Sequence, residues 1–306
     1  MAIKLNNLRL NQILILSLFF MLASALRNEK NEMIIIINAN KSSEIINYRY
    51  YNNISQVMVN GEESNISEYE NHLKKGENEI TVIFKEKLNN CEYMFYNLFN
   101  IIKINLSNLD LSDVKNMRYM FYYCSLVSLD LGIANTSSVT NMEYMFYWCY
   151  SLISLDLSYL DTSSVTNMKF MFYNCFKLVS LNLSNFNTSS VTNMEYIFSD
   201  CYSLVSLNLS NFNTSYVTNM ANMFSDCHSL LSLDLRNFDT SLVTNMKYMF
   251  YSCESLKYLD ISSFNTSSVR DMELMFYHCS SLTSLDLRNF NTSSVTNMHK
   301  MFQFCF

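Results

Sequence analysis

Cysteine recurs with methionine and phenylalanine in one short segment, and thiols at regular spacing can bind metal, form disulfides or pack. The stretch TNMEYMFYWC ends at Cys149, and close copies end at Cys175, Cys201, Cys227 and Cys253. A zinc site needs several ligands close together, typically in Cys-x-x-Cys or histidine spacings. Each copy supplies one cysteine, and the four histidines share no repeat position. The sequence therefore predicts no metal site and no cofactor.

Disulfide bonds are the second chemistry open to these cysteines, because the compartment predicted below is oxidising. A bridge needs Cα atoms about 4.4 to 6.8 Å apart, whereas neighbouring helices pack at roughly 8 to 10 Å. Buried free thiols that act as small apolar residues are therefore the favoured interpretation. An occasional bridge, where the coils lie closer, stays open.

A column of acidic and amide residues runs through the repeated segments. Its members are Asp130, Asp156, Asn182, Asn208, Asp234, Asp260 and Asp286. On strands about 4.8 Å apart, carboxylates repel unless they share protons, bind serine hydroxyls or recruit cations. A hydrogen-bonded polar lattice is the favoured interpretation. The alternative is a cation-assisted or sugar-binding face, with Asp234, Asp260 and Asp286 as candidate partner-binding residues.

The positions that vary most between copies flank the cysteine. Among them, Tyr147, Trp148 and Tyr150 form the most binding-like group, since exposed aromatic residues are common anchors at interfaces. Drift of solvent-facing positions in a duplicated repeat is the competing explanation. Asn-x-Ser/Thr sequons at Asn53 and Asn65 are possible glycosylation sites if the host has that pathway.

The sequence carries no motif of a catalytic site. It has no Gly-rich phosphate loop, no GxSxG and no HExxH, and its serines and aspartates form repeat-wide columns. We therefore predict that the protein is not an enzyme. A formal net charge of −6 without a basic cluster argues against nucleic acid and anionic membrane surfaces as partners.

The elements that hold these residues follow from the period of the repeat. Eight cysteines from Cys124 to Cys305 are separated by 25 residues once and by 26 six times, which indicates a solenoid. Met142, Met145, Phe146 and Cys149 have the i, i+3, i+4, i+7 spacing of one helix face. The alternating segment LISLDL, residues 152–157, reads as a half-buried strand. We expect an α/β solenoid with one short helix and one short strand per unit.

The full pattern of the unit, LxxLxLSxFxTSxVxNMxxMFxxC, resembles the leucine-rich repeats of the BspA-type surface proteins, which share the repeat of mycoplasmal surface lipoproteins. The resemblance covers roughly residues 90–306. It departs from the general leucine-rich repeat where Phe186 and its equivalents occupy the usual asparagine slot. It implies a curved leucine-rich-repeat-like superhelix with a parallel sheet on the concave face, and cell-surface adhesion or host interaction as the usual role.

Three segments follow from the pattern along the chain. Residues 1–25 have a charged start, an apolar run of about ten residues from Ile13 to Leu22 and a small-residue cleavage site, which predicts a signal peptide. Residues 26–89 lack the repeat and read as a small β-rich N-terminal cap. Residues 90–306 hold about eight units and a final half unit that stops at Phe306 without a comparable cap.

The expected function is adhesion or macromolecular binding by a secreted or cell-surface protein. The expected partners are proteins, glycans or cell surfaces, with no nucleic acid and no transmembrane segment in the mature chain. The alternative is a structural surface-coat or assembly component that stacks end to end through its uncapped C-terminal repeat.

Overall fold

A computed structural model describes residues 31–39 and 44–305 of the chain. The predicted signal peptide, residues 1–25, lies outside these ranges. The described part contains ten short β-strands and two 3₁₀ helices, Tyr48–Asn53 and Tyr69–His72, and no α-helix. Most of the remaining backbone forms turns.

A six-stranded sheet leads from the non-repeated region into the first units. Its strands are β1 (Glu32–Asn38), β2 (Ile54–Val59), β3 (Glu62–Ser64), β4 (Glu77–Phe84), β5 (Ile101–Asn105) and β6 (Ser128–Asp130). They lie in the order β3-β2-β4-β1-β5-β6. All pairs are antiparallel except β5 with β6, which is parallel. Alternate residues of β1 and β4 are buried, as expected for strands with one face on a core.

The later strands do not form one continuous sheet. In the described residues, β7 (Ser154–Asp156) pairs only with β8 (Ser180–Asn182), and β9 (Ser232–Asp234) pairs with β10 (Tyr258–Asp260). Both pairs are parallel, and a single bridge joins Ser206 to Ser232. The strands thus fall into three small sheets, one mixed and two parallel. The expectation of a superhelix with one parallel sheet on its concave face is therefore wrong.

The segment predicted as a helix consists of two consecutive β-turns. In Met142–Met145 and Phe146–Cys149, the fourth N–H donates to the first carbonyl at 3.2 and 3.1 Å. The third residue of each turn, Tyr144 or Trp148, has φ +58°, while the second does not have positive φ. That combination defines a type II turn, whereas an α-helix requires negative φ throughout and bonds from i to i−4. The predicted α/β solenoid with a helix in each unit is therefore wrong.

Hydrogen bonds between units explain why turns replace the helix. Alternate N–H groups of one unit donate to carbonyls of the next, at 2.8 to 3.1 Å. These donors are Met142, Tyr144, Phe146 and Trp148, and their acceptors are Asn167, Lys169, Met171 and Tyr173. An N–H group that donates to a neighbouring unit cannot also donate to a carbonyl of its own unit in an α-helical hydrogen bond. The left-handed conformation of Tyr144 and Trp148 aims their N–H groups at that neighbour.

The core of the stacked units is nevertheless the one that the periodicity predicts. Met142, Met145, Phe146 and Cys149 are fully buried, as are their equivalents in most other units. The inner phenylalanines stack from Phe95 through Phe302 with neighbouring ring centroids 5.2 to 5.7 Å apart. Two consecutive turns therefore bury the same positions that a helix face would bury.

Side chains of Asn and Asp make the bends of each unit. The Oδ1 atoms of Asn141, Asp156 and Asp161 each accept a hydrogen bond, at 2.9 Å, from the N–H two residues later. These Asx turns recur at the equivalent positions of other units. They explain how a chain with no proline and three glycines bends so often.

Threonine hydroxyls form further hydrogen bonds between units. Buried Thr162 donates to the Asn187 carbonyl at 2.9 Å and accepts from the Asn187 N–H at 2.8 Å. Thr140 and Glu143 have the sequence spacing of a helix capping box. The Thr140 hydroxyl instead donates to the Lys115 carbonyl of the preceding unit at 3.2 Å. The capping-box interpretation fails because there is no helix to cap.

Candidate binding surface

The cysteine column is a packing feature of the core. All nine cysteines are free thiols, and eight of them are buried. Each ladder thiol donates to a backbone carbonyl, as Cys175 Sγ does to the Phe146 oxygen at 3.1 Å. Burial raises the pKa of the Cys124 thiol to about 12. Since the thiolate is the reactive form, these groups are inert at neutral pH.

The last three aspartates of the acidic column are paired with arginines. Arg236 Nη2 lies 2.7 Å from Asp234 Oδ2, and its Nε lies 3.5 Å from Asp260 Oδ2. Arg288 Nη2 lies 2.7 Å from Asp286 Oδ2, and hydrogen bonds from Arg288 lower the pKa of that carboxyl to about 2. Across residues 31–39 and 44–305, no group of three or more His, Cys, Asp or Glu side chains could hold a metal ion. The three predicted aspartates thus have local partners in the arginines.

Two files of aromatic rings run along the outside of the first five units. The first file consists of Tyr93, Tyr119, Tyr144, Phe170 and Tyr196, with neighbouring centroids 4.5 to 4.9 Å apart. The second consists of Tyr96, Tyr122, Tyr147 and Tyr173, at 4.6 to 4.9 Å. We call these nine rings the aromatic band. Rings of one file also meet those of the other edge to face.

The backbone turns position both files. Tyr144 stands at the left-handed residue of the first turn, and Tyr147 follows the buried Phe146 that opens the second. Both side chains leave the core side, and the register of the units brings each ring over its equivalent. Offset or edge-to-face pairs at this distance each contribute about 0.5 to 1.5 kcal/mol beyond their burial.

Cations cover part of the band. The Arg118 guanidinium lies 4.5 Å from the Tyr119 ring centroid, and Arg49 lies 5.0 Å from that of Tyr93. Arg118 Nε also lies 2.7 Å from Glu143 Oε2. A guanidinium held between a ring and a carboxylate has a fixed orientation. The band therefore presents ordered phenol edges and hydroxyls together with fixed positive groups.

The structure places the three predicted aromatic residues at one border of the band. Tyr147 belongs to the second file and stacks on Tyr122 at 4.6 Å. Trp148 lies 5.1 Å from Tyr123 at an interplanar angle of 39°, and Tyr150 lies 6.3 Å from the same ring. Because rings within a file cover each other's faces, the file offers edges and hydroxyls to a partner.

The band ends where the outer positions become polar. Ser199 and Ser225 stand where Tyr147 and Tyr173 stand in earlier units. Beside them lies a cluster of acids and histidines, composed of Asp200, Asp226, His228, Glu254 and His278. Nδ1 of both histidines lies 3.4 Å from Glu254 Oε1, and burial raises the pKa of the Asp226 carboxyl. The outer surface thus changes chemistry while the core stays the same.

The two predicted glycosylation asparagines lie outside the repeats and are exposed. Asn53 is the last residue of a 3₁₀ helix. Asn65 Nδ2 donates to Glu68 Oε2 at 2.8 Å, and its Oδ1 accepts from the Ser67 N–H at 3.0 Å. No structural element contains both sites.

The stacked 26-residue units define a repeat protein, and the comparison with known families agrees. Residues 65–178, 89–205, 150–233 and 229–306 each match the family described as Mycoplasma protein of unknown function, DUF285. Since these overlapping segments cover most of the chain, the protein belongs to that family. No curated protein matches it. Within the part of the chain that the structure describes, no helix is long and apolar enough to cross a membrane.

Proposed function

We propose that this protein is a non-catalytic binding protein of the cell exterior, which contacts another macromolecule through the aromatic band. The observation that carries the proposal is the band itself, two stacked files of rings over five units. Tyrosine is enriched at interfaces because its ring supplies contact area and its hydroxyl a hydrogen bond.

The stacking favours binding for a thermodynamic reason. Ordering a mobile side chain at an interface costs roughly 0.5 to 1.5 kcal/mol. Rings such as Tyr122 and Tyr147, already stacked at 4.6 Å, have met much of that cost on folding. The Arg118 guanidinium, fixed over Tyr119, adds a preset cationic contact. A surface prepared in this way supports binding to proteins, glycans or cell surfaces.

An exterior location rests on the sequence. The signal-peptide pattern of residues 1–25 and the resemblance to BspA-type surface proteins both support secretion or surface display. The absence of a catalytic role is supported by the use of polar side chains. Asp156 and Asn187, like their column neighbours, accept turn bonds. Side chains that accept turn hydrogen bonds at the same position in many units have a structural role.

The test compares the band with a matched region of the same chain. The protein without residues 1–25 is applied to an array of glycans and extracellular-matrix proteins. A variant carries Tyr122→Ser, Tyr147→Ser and Tyr173→Ser, the residue that Ser199 and Ser225 already provide at this position. The control carries Tyr251→Ser, outside the band. We expect a ligand whose binding falls at least tenfold in the triple variant and is unchanged in the control.

Two results would contradict the proposal. Equal binding by the wild type and the folded triple variant would remove the band from the function. Failure to bind any array component, combined with concentration-dependent oligomers in sedimentation velocity, would favour the structural coat component instead. Circular dichroism checks that each variant is folded.

A further inference from the structure

One pocket breaks the regularity of the stacked units. It has a volume of about 670 Å³ and lies between the segment Ile83–Lys87, at the end of β4, and the loops of the first two units. Leu109, Leu111 and Ala134 line its apolar side. A volume of this size falls in the range of sites that hold small molecules or side chains.

The pocket lies where one column of the core has lost a side chain. The equivalent positions are Leu109, Ala134, Leu160, Phe186, Phe212, Phe238, Phe264 and Phe290. Leu109 and Leu160, on either side of Ala134, are 4% and 2% exposed. Ala134 is therefore a gap in a column that is otherwise filled by leucine or phenylalanine. The space that such a side chain would occupy opens to the surface.

The backbone around the gap is also exceptional. Gly132 has φ +56°, and a Cβ atom there would lie 2.7 Å from both Cα and Cβ of Ser107. Other units have serine or arginine at this position without positive φ. Only glycine allows this close approach. The loop that carries Ala134 thus follows a path that the other units do not share.

At the same loop, apolar side chains replace an asparagine whose side-chain amide forms a hydrogen bond in later units. In a later unit, Asn211 Nδ2 donates to the Phe186 carbonyl at 2.7 Å. The equivalent residues are Ile133, which lines the pocket, and Tyr159 of the next unit; they are 56% and 62% exposed. Exposed large apolar groups beside a pocket are typical of a binding site.

The charges around the pocket cancel. Lys85 and Lys87 are positive, and Glu86 and Asp110 are negative. The Lys87 ammonium lies 2.7 Å from Asp110 Oδ2, so these two groups form an ion pair. Lys85 donates to the neutral Asn52 carbonyl at 2.8 Å. Because the two positive and two negative charges of the lining sum to zero, the pocket favours an uncharged occupant. Amides of Asn31, Asn108 and Asn135 also line the pocket, and amides hydrogen-bond to peptide groups.

From these observations we propose that the Ala134 pocket binds a leucine or phenylalanine side chain presented by another polypeptide. The gap stands in the register of the residues that fill the column in neighbouring units. The neutral lining accepts an uncharged side chain, and the amides at the mouth suit its backbone. This site is independent of the aromatic band, and either proposal can fail without the other.

The test uses the whole chain and a defined probe. N-acetyl-phenylalanine methylamide is titrated against the protein, with the alanine analogue as the matched control probe, and saturation-transfer NMR reads the ring protons. We expect saturable binding of the phenylalanine probe alone. The Ala134→Leu variant, which restores the residue of both neighbours, should weaken this binding at least tenfold and raise the melting temperature. The triple tyrosine variant should bind the probe normally.

Four results would overturn the proposal. One is the absence of saturable binding by the wild type, and the second is equal binding by the folded Ala134→Leu variant. The third is a lower melting temperature for Ala134→Leu, which would show that the space for a side chain is not there. Binding of a free neutral aromatic, such as N-phenyl-1-naphthylamine, without the capped amino acid would instead assign the pocket to small molecules.

Discussion

Replacing a single serine by glycine distinguishes the observed turns from the helix that periodicity suggests. Ser252 is the third residue of the turn Phe250–Cys253 and has φ +53°. Its N–H donates to the Tyr277 carbonyl at 2.8 Å, a bond that glycine keeps. A left-handed conformation costs an L-residue about 1 to 2 kcal/mol. Glycine avoids that strain but loses roughly 0.5 to 1 kcal/mol more chain entropy on folding.

The expected effect of Ser252→Gly is therefore a stabilisation of about 0.5 to 1 kcal/mol. Ala221→Gly is the matched control, because Ala221 is the second residue of an equivalent turn, buried and without positive φ. It should destabilise by about 1 to 2 kcal/mol, from chain entropy and the loss of a buried methyl group. In a helix interior, both substitutions would be destabilising.

Urea titrations followed by circular dichroism measure both changes. The free-energy difference follows from the midpoint shift when the m-values agree. Equal m-values also show that both variants unfold in the same cooperative step, which a repeat protein does not guarantee. A destabilisation of 0.5 kcal/mol or more by Ser252→Gly would contradict the turn assignment.

Three further predictions concern the core and its bonds. Phe172→Ala should destabilise by about 3 to 5 kcal/mol, since Phe172 is fully buried between two rings, while Phe302→Ala, 46% exposed with one stacked neighbour, should cost less than half as much in the same urea assay. Thr188→Val should cost about 1 to 3 kcal/mol because it removes two part-buried hydrogen bonds to the backbone of Asn213 in the next unit. Exposed Thr166→Val should change stability by less than about 0.5 kcal/mol; equal effects would contradict the hydroxyl ladder. Burial raises the pKa of all eight buried thiols, to about 12 for Cys91 and Cys124, so stability should be full below about pH 8.5, the pKa of unfolded thiols, and fall toward pH 12; an unchanged urea midpoint between pH 7.5 and 9.5 would refute this.

The sequence was sufficient for the period and the inward positions, because both depend on the spacing of apolar residues. Met142 and Phe146 are buried as expected. The spacing i, i+3, i+4, i+7 could not establish the element, because two consecutive type II turns bury the same positions. A signal for the turns was present at the position of Trp148. Its equivalents include Asn174, Asp200 and His278, and these residue types are enriched in the left-handed region.

The candidate surface was only partly visible in the sequence. Tyr147, Trp148 and Tyr150 stand out because they vary between copies and lie close in sequence. The band itself depends on equivalent residues 25 or 26 positions apart, and its first file, from Tyr93 to Tyr196, becomes visible only when the units are aligned on their turns. The Ala134 pocket also has a signal that appears only in the aligned units, because alanine replaces the leucine or phenylalanine of the other units. Its volume and its neutral lining depend on β4, which no pattern within the repeat predicts.

The tyrosines of the second file are not required by the backbone that carries them. Where Ser199 and Ser225 replace them, the same turns close and the same bonds join the units, as Asp200 N–H to the Ser225 carbonyl at 2.8 Å shows. Stacking contributes about 0.5 to 1.5 kcal/mol per pair. The two units with Ser199 and Ser225 do without this contribution, and in the units after them Tyr251 and Tyr277 stack again at 5.1 Å. A ring such as Tyr147, which stacks 4.6 Å from its neighbour at a position that serine occupies in two other units, is therefore free to serve the contact proposed above. Separating stability from binding in the triple serine variant tests that step directly, since folding should survive the change and binding should not.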